Sequence, residues 1–125
     1  MRKSMLAWLL AAILLGGFSG CAAKNNTYRI SAEELRRLVP GATLAGTVAA
    51  GGMFEGTYYA NHTMAIRTGL DSDTGTWEFE DDTVCLTWRK WREGKRYCIY
   101  WERTPTGYAS RFPDGRLSTT FRIVK

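Results

Sequence analysis

The stretch WRKWREGKRYCIYW, Trp88 to Trp101, sets Arg89, Lys90, Arg92, Lys95 and Arg96 around Trp91, with Glu93 as the one carboxylate among them. Guanidinium groups fork onto phosphates and carboxylates, and an indole face stacks on planar or sugar rings. Arg89, Lys90, Trp91, Arg92, Lys95 and Arg96 are therefore the candidate residues for binding an anion or a partner. The same composition suits a second role, because charges at a hairpin end discourage edge-to-edge pairing with another chain. Both readings require the stretch to be the tip of a hairpin.

Other residue groups carry less chemistry. DSDTG, Asp71 to Gly75, looks like the start of a calcium loop, but the spacing fails, because Thr76 stands where that loop needs its glycine. An Asp-rich turn ahead of a strand is expected instead. His62, the only histidine, falls in an Asn61-His62-Thr63 turn with no nucleophile nearby in sequence. Glu78 and Glu80 alternate with Trp77 and Phe79, which puts both carboxylates on an outer, solvated face, and Asp81-Asp82 forms the next turn. Two cysteines, Cys85 and Cys98, with one distant histidine cannot close a tetrahedral metal shell. No glycine-rich loop leads from a strand into a helix. No catalytic residue, metal or cofactor is expected, and the chemistry favours a binding module over an enzyme.

These residues need a framework. In YRISAEELRRLVPG, Ser31 and Glu34 have the spacing of a capping box and Ile30 and Leu35 that of a hydrophobic staple. Pro40-Gly41 stops the helix within about two turns. Beyond it, short strands separated by turn signals are expected at 43–49, 54–60, 63–68, 75–80, 84–89, 96–103, 108–112 and 117–124. The fold class is mainly β (α+β), with one short N-terminal helix packed on an antiparallel meander of about eight strands. Pattern alone leaves open a curled sheet or a small barrel.

Within that meander one register stands out. Val84, Leu86 and Trp88 share a strand face, as do Tyr97, Ile99 and Trp101. If Cys85 faces Cys98, then Leu86 faces Tyr97 and Val84 faces Ile99, so one register joins both the cysteines and the apolar rows. A slip of one residue would break both together. Lys90 to Glu93 then form the loop, beside Gly94, with Trp91 as the exposed aromatic.

The N-terminus decides the compartment. Arg2 and Lys3 precede about fourteen uncharged residues, Met5 to Phe18, the length of a signal-peptide core and short of the roughly 20 residues a spanning helix needs. Phe18-Ser19-Gly20-Cys21 resembles the lipobox of bacterial lipoproteins, with Phe18 where that pattern prefers an aliphatic residue. The resemblance implies a signal peptide at 1–20, lipidation of Cys21, a tether at 21–27 and a single domain at 28–125. Ordinary cleavage after Ala23, giving a soluble periplasmic or secreted protein, is the alternative. No acidic residue follows Cys21, and by resemblance to enterobacterial sorting this implies the outer membrane, facing the periplasm.

Removing residues 1–20 leaves 105 residues, enough for one small domain, with a balance of +3. In an oxidising compartment Cys85 and Cys98 are expected to pair, two separate buried thiols being the alternative. Gly75-Thr76-Trp77, Cys85 with Trp88, and Tyr97-Cys98 also resemble a group of short exported proteobacterial proteins of unknown function, over residues 30 to 125. That resemblance implies a mainly-β exported domain and no activity. The expected partners are the membrane, through the lipid anchor, and an envelope glycan, lipopolysaccharide or envelope protein, with no nucleic acid. A barrel carrier of a small apolar ligand is the second functional reading, and a small periplasmic enzyme a weaker third.

Overall fold

The computed structural model describes residues 26–125. The expected leader at 1–20 and the lipidation of Cys21 lie outside the described residues. The chain runs β1 (Tyr28–Arg29), α1 (Ala32–Leu38), β2 (Thr43–Val48), β3 (Met53–Tyr58), β4 (Thr63–Thr68) and β5 (Ser72–Glu80). Then follow β6 (Thr83–Trp88), a 3-10 turn at Trp91–Gly94, β7 (Tyr97–Thr104), β8 (Gly107–Arg111) and β9 (Leu117–Ile123).

From β2 to β9 each strand pairs antiparallel with the next, and β9 returns to pair with β2 through Leu44 opposite Ile123 to Val48 opposite Thr119. The meander therefore closes into an eight-strand barrel, which removes its free edges. Closure depends on a close approach at Gly46, which lies opposite Phe121 on one side and Phe54 on the other. A Cβ there would run into the carbonyl oxygen of Thr120.

Alternation turns Leu44, Phe54, Tyr58, Met64, Trp77, Leu86, Trp88, Ile99, Trp101 and Phe121 inward, and all are buried. The large rings interlock along the axis: Trp101 meets Phe121 edge-on at 4.8 Å and Tyr58 at 6.1 Å, and Tyr58 meets Trp77 at 5.9 Å. Side chains thus fill most of the interior, as eight strands allow.

Helix α1 covers one end of the barrel. Ser31 caps it, accepting the Glu34 amide at 3.2 Å, while Ile30, Leu35 and Val39 are wholly buried. The Glu34 carboxylate accepts from Arg103 at 3.3 Å, and Arg36 donates to the Asp81 carbonyl and lies over the Phe79 ring. The ends of β5 and β7 are thereby tied to the helix.

Three features depart from the sequence expectation. The two-residue β1 adds beside β7, with Tyr28 opposite Arg103, and is too short to show a period. Strand β5 starts at Ser72 rather than Gly75. Asp73 accordingly lies within the strand and faces inward, opposite Ile66, instead of sitting in a turn. The cysteine register is as expected: Val84 pairs with Ile99, Cys85 with Cys98 and Leu86 with Tyr97.

Candidate functional site

Cys85 and Cys98 are joined by a disulfide on the outer face of the β6–β7 hairpin. At its tip Arg92, Glu93 and Gly94 are successive left-handed residues, at φ 55°, 57° and 72°. Two of the three carry side chains, for which this conformation is costly, so the tip needs outside support. Asp73 supplies it. Its Oδ2 accepts the amides of Lys90 and Trp91, each at 2.9 Å, and its Oδ1 accepts the amide of Thr74 at 2.8 Å. Asp71 adds a second anchor, accepting the Trp91 indole N–H at 2.9 Å and the Lys90 ammonium at 3.3 Å.

Both carboxyls are held below their usual range. Burial pushes Asp73 up, but the amides of Trp91, Lys90 and Thr74 outweigh it. Asp71 is lowered by the Trp91 indole, then by the Ser72 amide and Lys90. A depressed carboxyl contributes stability above its unfolded value, about 3.9, and loses it as pH falls through the folded value. Hydrogen exchange should therefore find the Lys90 and Trp91 amides protected from neutral pH down to about pH 4 and released in stronger acid. Asp73→Ala, which removes both acceptor oxygens, should expose both amides at every pH; a protection profile unchanged by that substitution would contradict the anchor.

Anchoring changes the reading of the tip. Trp91, expected to be exposed, is half-buried, because its ring packs on Trp88 at 5.4 Å and its N–H reaches Asp71. Nor is Glu93 the only opposing charge: Arg96 reaches Glu78 at 3.1 Å and Glu80 at 2.8 Å, across to β5. Lys95 lies 3.4 Å from Glu93, and Arg92 stacks over Tyr97 at 4.1 Å. Arg89 alone of the five has neither a carboxylate nor an aromatic partner among the described residues, and its amide donates to Thr74 at 2.9 Å.

Arg89 and Lys90 border an open groove of about 660 Å³ on the outer face of β2–β5. Thr74, Ala65, Thr57 and Thr43 occupy successive paired positions across these four strands and line the groove. Their small size leaves the face concave. Ser72, Arg67 and Glu55 form the neighbouring row, with Arg67 and Glu55 joined at 2.6 Å. The Thr43 and Thr57 hydroxyls lie 2.9 Å apart. The groove thus presents hydroxyls, a paired Arg–Glu and, at one end, the unpaired guanidinium of Arg89. By contrast, the cavity inside the barrel measures about 70 Å³.

The remaining sequence candidates are structurally committed. Glu80 lies within 4.8 Å of both cysteine sulfurs, but those sulfurs form the disulfide and Arg96 holds the carboxylate. His62 stacks on Trp77 at 4.4 Å, with its Nδ1 at 3.1 Å from the Trp77 carbonyl oxygen. The groove residues on β2, β3 and β4 were missed by sequence reasoning. Their only signal is small outward residues on strands whose register must be known first. No family model matches the chain, and no curated protein or solved structure matches it.

Proposed function

We propose that this protein is a non-enzymatic binding module of the bacterial envelope, exported and lipid-anchored at Cys21, whose outer groove holds an anionic glycan. The observation that carries the reading is the contrast between the two spaces. The groove offers about 660 Å³ and the barrel interior about 70 Å³. Pockets for drug-sized ligands usually measure about 300–1,000 Å³, so the groove has the room a glycan unit needs and the interior does not. The closed barrel is the architecture a carrier would use, but its aromatic filling argues against an apolar ligand of ordinary size.

The groove chemistry suits a sugar chain with acidic groups. Threonine and serine hydroxyls both donate and accept, matching sugar hydroxyls, and a guanidinium pairs with a carboxylate or phosphate in two parallel bonds. The orientation also fits an anchored protein. Tyr28 lies beside Arg103, whereas the tip joins β7 at Tyr97. At about 3.3 Å per residue these points are roughly 20 Å apart. A tether preceding β1 would leave the Arg89 end directed away from the bilayer.

Calorimetric titration of the full chain with muropeptides and with oligouronates tests this reading. Arg89→Ala is expected to weaken binding by about tenfold or more, the scale of one charged hydrogen bond, with no change in thermal midpoint. Equal affinity in wild type and variant would exclude the groove end as the anion site.

A further inference from the structure

The barrel interior encloses a small cavity, separate from the outer groove. Trp101 is wholly buried, lines the interior cavity, and its indole N–H has no acceptor among the described residues. A buried donor left unpaired is costly, and such groups in folded proteins nearly always find a partner. Ser110 lies directly across the strand from Trp101, and its hydroxyl meets that of Thr119 at 2.6 Å. Two hydroxyls joined by one hydrogen bond retain a second hydrogen, so the pair can donate once more. Two donor groups on neighbouring inward positions thus border one small space.

We propose that this cavity binds a small neutral molecule bearing a carbonyl oxygen, of the size of a three-carbon ketone or aldehyde. Its volume of about 70 Å³ sets the size. That is roughly the room of two waters at about 30 Å³ each, so only a solute of very few heavy atoms fits. The lining contains no ionisable acid or base of ordinary neutral-pH charge, and Leu86, Ile66 and Phe54 supply an apolar wall. Burying an ion there would be far costlier than burying a neutral carbonyl, which selects against carboxylates and amines. The ligand's oxygen accepts from Trp101 and the Ser110–Thr119 pair while its methyl groups face the apolar wall.

The test is a titration of the 15N-labelled full chain with acetone, following the Trp101 indole signal assigned by its loss in Trp101→Phe. A saturable downfield shift of that signal, with the Trp91 indole unmoved, is the expected result. Gly56→Ala puts a methyl at the cavity wall, 3.2 Å from the Ala65 carbonyl oxygen, and should weaken the effect about tenfold. A non-saturating drift shared by Trp101 and Trp91 in the wild-type chain would overturn the proposal, however the variants fold. So would cross-relaxation from Trp101 to water that acetone does not displace.

Discussion

Replacing both Cys85 and Cys98 with serine is expected to lower the unfolding free energy by about 3 kcal/mol. The disulfide closes a loop with a sequence separation of 13, and a cross-link of that span constrains the unfolded chain by roughly this amount. Its position makes the effect count. β6 and β7 pair through only three residue pairs, against five or six at most other seams of the barrel. The left-handed tip adjoins this short seam, so the cross-link sits where the barrel is least held by backbone bonds. For a domain of about a hundred residues the midpoint should fall by roughly 12–24 °C. Thermal and denaturant unfolding of wild type and double variant measure this directly. Equal midpoints would mean that the tip and its seam are held without the cross-link.

Gly46→Ala should be as damaging, from the addition of one methyl. The new Cβ would overlap the Thr120 carbonyl oxygen and crowd the Phe121 Cα, both backbone atoms that cannot rotate away. Since β2 and β9 close the barrel there, relief requires the seam to open or the strands to shift. Overpacking costs typically about 1–3 kcal/mol, and a backbone clash at the closing seam belongs at or above the upper end. Gly69→Ala is the matched control, because nothing lies within 4 Å of a Cβ at that position. A Gly46→Ala protein as stable as the Gly69→Ala control would show that the β2–β9 seam tolerates a separation the present geometry denies.

The parts of the fold that read directly from sequence are those set by local chemistry. Ser31 caps its helix through a hydroxyl three residues from the amide it accepts, and the two-residue period of a strand sorts Trp77 inward from Glu78 and Glu80. The cysteine register was legible because two independent constraints, the apolar rows and the thiols, agreed on it. Closure was not, because the pairing of Leu44 with Ile123 joins strands separated by most of the domain. Asp73 misled for a related reason. An aspartate beside Asp71 and Gly75 has the composition of a turn, and only the approach of Lys90 and Trp91 amides from another hairpin makes its inward position tolerable. The tip was half legible. Its charges were visible, but the partners Asp71, Glu78 and Glu80 come from β5 and the turn before it, and the groove beyond Arg89 exists only once four strands are in register.

Binding at the outer groove is tested most directly by mapping backbone amide shifts of the full chain as oligouronate is added. The amides of Thr43, Thr57, Ala65, Thr74 and Arg89 should shift together and saturate at one affinity, because these residues share the face bordered by the hairpin. Shifts confined to the inward-facing Leu86, Ile99 and Trp101, or no saturable shifts at all, would contradict it.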